Sequence, residues 1–265
     1  MLKGPANSYF DGESSNVFRE DYEPSIRGHV RYELTHRNLA PYLRNESSLE
    51  IADIGGGSGN DSVWLAQQGH NVTLIEPAAD QITKAEERAS ALPDRIANRI
   101  TIIRGTTETA LQNGWDFDVV MSHGVAMYLQ DYTGFIGQLG ALTRPGGHIS
   151  ILEKNYYAKE ASLLKTGDET TLTKFYKTGW VDKNNTGKPA YAFKLEQLER
   201  LLSEEAGSKV LEWFGVRIIS HEMNQRIDEL SPLLLKLIID AEVGASEDIR
   251  RRGNGQMLHF IAKKV

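Results

Sequence analysis

The sequence predicts an α/β protein built on a doubly wound, mostly parallel seven-stranded sheet. Three observations predict this class. Short apolar runs alternate with amphipathic helical segments, a glycine-rich turn follows the first run, and 265 residues suffice for one large domain. Because parallel strands need long crossover connections that usually contain a helix, we expect helices on both faces of one sheet.

Residues 1–24 are polar and rich in glycine and serine, which predicts a polar N-terminal arm. An amphipathic helix is predicted within 25–43, where apolar residues recur at near-helical spacing. The recurring residues are Ile26, Val30, Leu34 and Leu39. This helix would lead into an α/β core that extends to residue 154.

Seven strands and five further helices are predicted from the apolar pattern. The strands are 49–55, 71–77, 99–105, 117–124, 148–154, 209–221 and 256–265; the helices are 61–70, 78–92, 131–147, 195–207 and 231–244. Residues 155–192 lose this regularity and predict a lid or substrate-side insertion. Residues 193–265 would complete the core sheet.

The composition limits the classes of function. Thirty basic and thirty-six acidic residues leave a net charge of −6, so any nucleic-acid contact has to be local. The absence of cysteine excludes disulfides and a thiol nucleophile and favours a reducing compartment. No apolar stretch approaches the ~18 residues of a membrane span, and no signal-peptide pattern occurs. We therefore expect a cytoplasmic protein without a membrane partner.

Gly55, Gly56, Gly57 and Gly59 stand between the first predicted strand and the next helix. Glycines at such a turn permit left-handed torsions and let a ligand approach the main chain, and the helix N-terminus adds unpaired N–H groups. Glu76 ends the second strand, where a carboxylate can accept hydrogen bonds from two ribose hydroxyls. The pattern predicts a nucleoside-containing cofactor.

The spacing of the glycines bears on which cofactor is bound. A dinucleotide fingerprint needs a third small residue, and counted from Gly55 or Gly57 that position holds Asn60 or Ser62, which makes the match imperfect. A nicotinamide oxidoreductase would also need a pair such as Tyr-x-x-x-Lys. The "YYAK" at 156–159 is one residue short of that spacing.

Three motifs resemble those of the class I S-adenosylmethionine-dependent methyltransferases. "DIGGGSG" at 53–59 matches their first motif, an acid, one residue and G-x-G-x-G. "FDVVMSHGVAMYLQD" resembles their fourth-strand motif, and "LTRPGGHISI" resembles the turn before their fifth strand. The resemblance implies a Rossmann-like methyltransferase fold, S-adenosylmethionine as cofactor, and methyl transfer by in-line displacement.

The resemblance also implies roles for particular residues. The implied cofactor-binding residues are Arg31, Asp53, Gly55, Gly56, Gly57, Glu76, Thr107, Glu108 and His123, and the implied catalytic residues are Arg217 and His123. Arg31 could pair with the methionine carboxylate of the cofactor. Thr107 and Glu108 would line the adenine, His123 would lie near the sulfonium, and Arg217 would bind an acceptor carboxylate.

Most of the chain is similar to bacterial methyltransferases that esterify the carboxylate of 5-carboxymethoxyuridine at the tRNA wobble position. The similar pieces are residues 28–31, "IADIGGGSG", "SHGVAMYLQD", the Asn155 region, "FGVRIISHEM" and "LHFIAKK". The resemblance implies tRNA as the partner. In that case arginines 250–252 could contact phosphates, and Tyr176, Trp180 and Tyr191 could stack on a base.

The sequence leaves three functions open. They are a methyltransferase for a tRNA uridine, a methyltransferase for a small molecule, and a cofactor-binding protein without catalysis. The acidic charge and the weakly matching segment 155–192 favour the second. A carboxylate acceptor needs no general base, because it is ionised at neutral pH. An amine or phenol would need one, and the candidates in order are His123, Glu153 and Tyr157.

No metal-ligand spacing occurs in the sequence. His29 and His36 stand seven residues apart on the first predicted helix, which is not a typical ligand spacing. We therefore predict no metal site.

Overall fold

A computed structural model describes residues 22–44, 47–182 and 187–265. Of the polar arm predicted at 1–24, all but the last three residues lie outside the described part of the chain. The described residues form a sheet covered by helices on both faces, with a small second sheet between residues 180 and 191.

The main sheet has seven strands in the order β3-β2-β1-β4-β5-β9-β8. They are β1 Glu50–Ile54, β2 Asn71–Glu76, β3 Ile100–Arg104, β4 Phe117–His123, β5 Thr143–Lys154, β8 Ser208–Val216 and β9 Met257–Lys264. Strand β9 is antiparallel to both of its neighbours, and the remaining pairs are parallel. The predicted doubly wound, mostly parallel seven-stranded sheet is thereby confirmed.

Ten helices surround this sheet in the described ranges. They are α1 Ile26–Leu39, α2 Asn60–Gln67, α3 Ala79–Ser90, α4 Asp94–Ala97, α5 Thr107–Gln112, α6 Tyr132–Leu142, α7 Tyr156–Thr166, α8 Glu169–Thr178, α9 Leu195–Glu204 and α10 Pro232–Glu247. Side-chain caps fix several starts: Ser25 accepts from the N–H of Gly28, and Ser231 accepts from that of Leu234. The small sheet pairs β6 Trp180–Val181 with β7 Ala190–Tyr191.

Alternating residues of the central strands pack on opposite faces of the sheet. Ala52 and Val120 join the cluster that includes α6 and α9, whereas Ile51 and Met121 join the cluster that includes α2. A third cluster packs α1 and α10 against the ends of β5 and β8. It comprises Ile26, Val30, Leu34, Leu152, Val216 and Ile238. These contacts hold α1 beside the carboxyl edge of the sheet.

The main differences between prediction and structure are at two boundaries and in one segment. The helix predicted at 131–147 ends at Leu142, because the residue before Pro145 is disfavoured in helical conformation and Thr143 already pairs with Phe117. The strand predicted at 209–221 ends at Val216, because Arg217 adopts a left-handed φ of 63°. The irregular segment 155–192 contains two helices, α7 and α8, which were not predicted because lysine, threonine and glycine residues interrupt its apolar pattern.

The connections from β1 diverge, since β2 and β4 lie on opposite sides of it. In open α/β sheets such a switch point leaves a crevice outside the carboxyl ends of the strands. The ends of β1, β2, β3, β4, β5 and β8 all reach this edge, because the first five are parallel and β8, like β5, is antiparallel to β9. The fold therefore collects residues from six strands at one place.

Two helical glycines provide a matched test of the packing. A Cβ on Gly140 would lie 2.3 Å from the Ala206 carbonyl oxygen, whereas a Cβ on Gly244 would meet no atom within 4 Å. We expect Gly140→Ala to lower the free energy of unfolding by about 1–3 kcal/mol through overpacking. Gly244→Ala should raise it by about 0.5–1 kcal/mol through helix propensity. Urea unfolding measures both, and shifts of the same sign would contradict this account.

Candidate cofactor and acceptor site

A cavity of about 980 Å³ opens at the carboxyl edge of the sheet. Its wall includes Arg31, Gly55, Gly57, Glu76, Thr107, Glu108, His123 and Arg217, all of them predicted site residues. Small-molecule sites usually measure about 300–1,000 Å³, so this volume can hold a nucleoside cofactor and part of an acceptor. Two predicted residues, Asp53 and Gly56, are not part of the wall.

The glycine loop brings bare main chain to the cavity. Gly55 has φ 68°, and its N–H donates to the Ile75 carbonyl at 2.8 Å, which fastens the loop to β2. A Cβ on Gly57, which has φ 54°, would meet only Gln81 Oε1 at 3.6 Å. Gly57 is therefore where a cofactor can approach the backbone, as expected for this motif.

Glu76 connects the glycine loop with the end of β2. Its Oε2 accepts from the Gly57 N–H at 3.1 Å, and its Oε1 accepts from the Ala78 N–H at 2.9 Å. Each carboxylate oxygen has two lone-pair directions, so both can also accept from hydroxyl groups. The carboxylate lies in the cavity wall, where ribose hydroxyls of a nucleoside could donate to it.

Asp53 and Gly56 support this loop from behind. The Ser62 hydroxyl donates to Asp53 Oδ2 at 2.7 Å, and a Cβ on Gly56 would lie 2.7 Å from the same oxygen. Burial, and then the charge of nearby Asp61, raise the pKa of Asp53 above its ordinary value. Direct contact of Asp53 and Gly56 with the cofactor stays a prediction.

Thr107 and Glu108 form one polar cluster with Gln138 of α6. The Thr107 hydroxyl donates to Gln138 Oε1, and Gln138 Nε2 donates to Glu108 Oε1 at 3.0 Å. Hydrogen bonds from Thr106 and Gln138 lower the pKa of Glu108, against the effect of partial burial. The cluster offers hydrogen-bonding groups to an adenine at the end of the cavity beside β3.

The buried carboxylate of Asp61 fixes Arg31 at the cavity. Asp61 lies 3.3 Å from Arg31 Nη1, 2.7 Å from His36 Nε2 and 3.5 Å from His123 Nδ1. Burial alone would raise the pKa of Asp61, but Arg31 and the two histidines hold it well below its usual range. This ion pair orients the Arg31 guanidinium, which can then meet the carboxylate of a cofactor.

A chain of hydrogen bonds runs from His123 in the cavity wall to Asn38 of α1. His123 Nε2 lies 2.9 Å from the Ser150 hydroxyl, which lies 2.8 Å from His259 Nε2, and Asn38 Nδ2 lies 3.3 Å from His259 Nδ1. Burial lowers the pKa of both histidines, so both are neutral at pH 7. With Asn38 donating to His259, the hydrogen bonds through Ser150 place the His123 proton on Nδ1, which faces Asp61 Oδ2 at 3.5 Å but forms no well-aligned hydrogen bond with a described residue. Both ring nitrogens of His123 are thus turned toward the protein.

The opposite wall of the cavity carries four cationic side chains: Arg27, Lys154, Lys159 and Arg217. In the described part of the chain none of them has a carboxylate within ion-pair distance. Arg27 Nε and Arg217 Nε are buried without a hydrogen-bond partner among these residues. Burial, then Lys159 and Arg217, lower the pKa of Lys154 to about 8. The repulsion marks this wall as a site for a negatively charged group.

The other two candidate bases, Glu153 and Tyr157, are engaged in hydrogen bonds, although Tyr157 lines the cavity. Glu153 is fully buried, and its carboxylate accepts from the N–H groups of residues 125–127 at 2.8–3.3 Å. Tyr157 is exposed and donates to Glu196 at 3.3 Å. No group of three His, Asp or Glu side chains in the described ranges could hold a metal ion.

The residues proposed for RNA contact are mostly engaged within the protein. Tyr191 packs between Tyr132, Trp180 and Phe193, with ring centroids 4.6–5.6 Å apart. Arg250 pairs with Asp248, and Arg252 lies 4.0 Å from the centre of the Trp213 ring. Tyr176 is half exposed. No described helix is long and apolar enough to cross a membrane.

Sequence reasoning missed Asp61, Gln138, Lys154 and the acid Glu23. Glu23 accepts from Ser58 Oγ at 2.7 Å and from Asn60 Nδ2 at 2.6 Å, joining the chain before α1 to the glycine loop. Of these four residues, Asp61 alone has a signal in the local sequence, because it lies in the first turn of the helix that follows the glycine motif. The others acquire their roles from distant partners.

Glu76→Ala tests the nucleoside side of the cavity. Loss of the carboxylate should weaken S-adenosylhomocysteine binding by about 1–3 kcal/mol, the scale of a charged hydrogen bond. Calorimetry of the variant measures this, with Glu199→Ala as the control because Glu199 is exposed and lies outside the cavity. Unchanged affinity in Glu76→Ala would remove Glu76 from the cofactor site.

Comparison with known proteins bears on the class of this site. Residues 52–149 match the family described as "Methyltransferase domain". The chain is 24% identical over 221 residues to the tRNA 5-carboxymethoxyuridine methyltransferase of Escherichia coli K12, covering 82% of each protein. It is 31% identical over 130 residues to a ubiquinone biosynthesis O-methyltransferase of Azorhizobium caulinodans, covering 49% of this chain and 50% of the relative.

Solved structures share the fold. The crystal structure of magnesium protoporphyrin IX methyltransferase from Synechocystis PCC 6803, with bound S-adenosylhomocysteine, superposes with a TM-score of 0.64 at 15% identity, covering 98% of each chain. The fold, the glycine loop that leaves Gly57 open, and Glu76 at the end of β2 fit S-adenosylmethionine, as does Arg31 in the wall. Residues 52–149 form a methyltransferase domain, and the chain is an S-adenosylmethionine-dependent methyltransferase.

Proposed function

We propose that this enzyme transfers the methyl group to a carboxylate oxygen, and that the acceptor is the 5-carboxymethoxyuridine of tRNA. The observation that carries the proposal is the cationic wall of Arg27, Lys154, Lys159 and Arg217. Arg217 is buried and the other three are partly buried, and none has a carboxylate within ion-pair distance in the described residues, so a ligand that supplies negative charge gains affinity there. Arg217 can pair with a carboxylate through two parallel hydrogen bonds.

The remaining chemistry of the cavity agrees with a carboxylate acceptor. S-adenosylmethionine supplies a methyl group on a positively charged sulfur. An ionised carboxylate attacks this carbon without losing a proton, so the protein's part is alignment. His123, the first candidate base, is turned toward the protein on both sides, because its Nε2 lies 2.9 Å from the Ser150 hydroxyl and its Nδ1 faces Asp61. An amine or phenol acceptor must lose a proton, and His123 is not oriented to remove it.

The tRNA acceptor is supported by the Escherichia coli relative, which aligns over most of both chains. Such an acceptor would also fit a cytoplasmic location. A second candidate is a small-molecule carboxylate. Two observations favour it. The net charge is −6, and Arg250 and Arg252, which were proposed to contact RNA phosphates, already contact Asp248 and Trp213 within the protein.

Transfer of a labelled methyl to tRNA tests the proposal. The tRNA comes from cells that lack their own wobble carboxyl-methylating enzyme, and the nucleosides are identified by mass spectrometry. We expect a methyl ester on 5-carboxymethoxyuridine. Arg217→Ala should raise the acceptor KM or lower kcat while leaving S-adenosylhomocysteine affinity unchanged. Labelling of metabolite extracts but not of tRNA would select the small-molecule carboxylate, and labelling of neither would refute the proposal.

The pH dependence of acceptor binding should follow the protonation of Lys154. Since its pKa lies at about 8, Lys154 is charged below this pH and loses its charge above it. We therefore expect the KM for the carboxylate acceptor to rise above about pH 8, while kcat stays level because no base titrates. Steady-state kinetics between pH 6 and pH 9 measures this.

Lys154→Met should raise the KM at pH 7 and abolish its increase above pH 8. The control is Lys263→Met, an exposed lysine of β9 outside the cavity, which should keep the wild-type profile. A KM that still rises in Lys154→Met would assign the titration to another group.

A further inference from the structure

The turn that carries Arg217 is fastened by a buried carboxylate on α10. Glu242 is fully buried. Its Oε2 accepts from the N–H of Ile218 at 3.0 Å, and its Oε1 accepts from those of Ile219 at 2.9 Å and Ser220 at 2.6 Å. Three consecutive amides directly after Arg217 therefore converge on one side chain.

Other contacts hold strand β8, which leads into this turn, and the carbonyl of Arg217. The Ser246 hydroxyl, also on α10, donates to the Gly215 carbonyl at 2.7 Å, and the N–H of Gln256 donates to the Arg217 carbonyl at 3.3 Å. A Cβ on Gly215 would lie 1.9 Å from the Arg252 carbonyl oxygen, so the end of β8 packs directly against the main chain at Arg252.

Arg217 is the one described residue other than glycine with a positive φ, at 63°. A bulky side chain in this conformation is unfavourable and persists only where the surrounding structure imposes it. The three amide bonds to Glu242 begin at the very next residue, and they supply that constraint.

The way in which the Glu242 charge is satisfied matters for the acceptor. The dipoles of three amide groups stabilise its carboxylate, and it forms no ion pair with a described cation. The hydrogen bonds of Glu242 therefore hold the turn in place without an ion pair between Glu242 and Arg217. Glu153 binds the amides of residues 125–127 after β4 in the same way, on another part of the same wall.

We propose that Glu242 is a positioning residue for the methyl acceptor. By binding the amides of residues 218–220, it holds Arg217 in its left-handed conformation and aims the guanidinium at the anionic group of the acceptor. Glu242 lies outside the cavity wall and acts only through Arg217. The inference rests on the proposed function, in which Arg217 binds an acceptor carboxylate.

Glu242→Gln is the variant of choice, because it preserves shape while replacing one acceptor oxygen by an N–H₂ donor that faces an amide N–H. Ser246→Ala is the matched control, since it removes a hydrogen bond of the same helix one turn away and leaves amides 218–220 bound. Hydrogen exchange by mass spectrometry should become faster at residues 218–220 in Glu242→Gln and stay at the wild-type rate there in Ser246→Ala.

Binding of inorganic phosphate to the protein saturated with S-adenosylhomocysteine provides a readout that needs no turnover. Calorimetry should give a phosphate affinity weakened about tenfold or more in Glu242→Gln and in Arg217→Ala, with the cofactor affinity unchanged. Ser246→Ala should bind phosphate as the wild type does. Phosphate that does not bind the wild-type protein, or binds Glu242→Gln equally well, would overturn the inference.

A double-mutant cycle separates positioning from general stability. Glu242→Gln should lower kcat/KM for the carboxylate acceptor about tenfold or more in the wild-type background, and by less than about twofold when Arg217 is already alanine. Equal losses in both backgrounds would contradict a role through Arg217. If the wild type methylates no carboxylate, the proposed function fails, whereas the exchange and phosphate measurements still decide the role of Glu242.

Discussion

The unbalanced positive charge on one wall of the cavity is the constraint on which the acceptor side depends. Arg27, Lys154, Lys159 and Arg217 come from α1, β5, α7 and the turn after β8, and no carboxylate of the described ranges pairs with them. The acids nearby are engaged elsewhere. Glu153 and Glu242 bind backbone amides, and Asp61 binds Arg31 and two histidines. The wall is thus left positive for a ligand.

The two sides of the cavity are stabilised by different interactions. On the cofactor side, main-chain contacts of the glycine loop and the buried Arg31–Asp61 ion pair fix the geometry, and the hydrogen-bonded histidines below brace it. On the acceptor side, two carboxylates hold the turns after β4 and β8 by their amides. A methyltransferase needs mainly alignment of nucleophile, methyl carbon and leaving sulfur, and both sets of contacts supply rigidity for this purpose.

The sequence predicted those parts of the fold and site that depend on neighbours in the chain. The seven strands follow from short apolar runs. Gly57 belongs to the glycine motif after the first strand, and Glu76 ends the second strand. The left-handed turn at Arg217 could not be predicted, because a distant helix imposes it against the preference of the residue. Gln138 and Lys154 likewise gain their roles only from partners in other elements. The helices of residues 155–192 were not predicted, because lysine, threonine and glycine residues interrupt the apolar pattern of this segment.

The central claim is that the methyl group is transferred to a carboxylate. The most direct measurement is the stability of the labelled product in mild alkali, because a methyl ester hydrolyses under conditions that leave methyl ethers and methylamines intact. The account predicts that the label is released as volatile methanol and that the acceptor regains its carboxylate. Label that stays on the non-volatile product after this treatment would contradict the account.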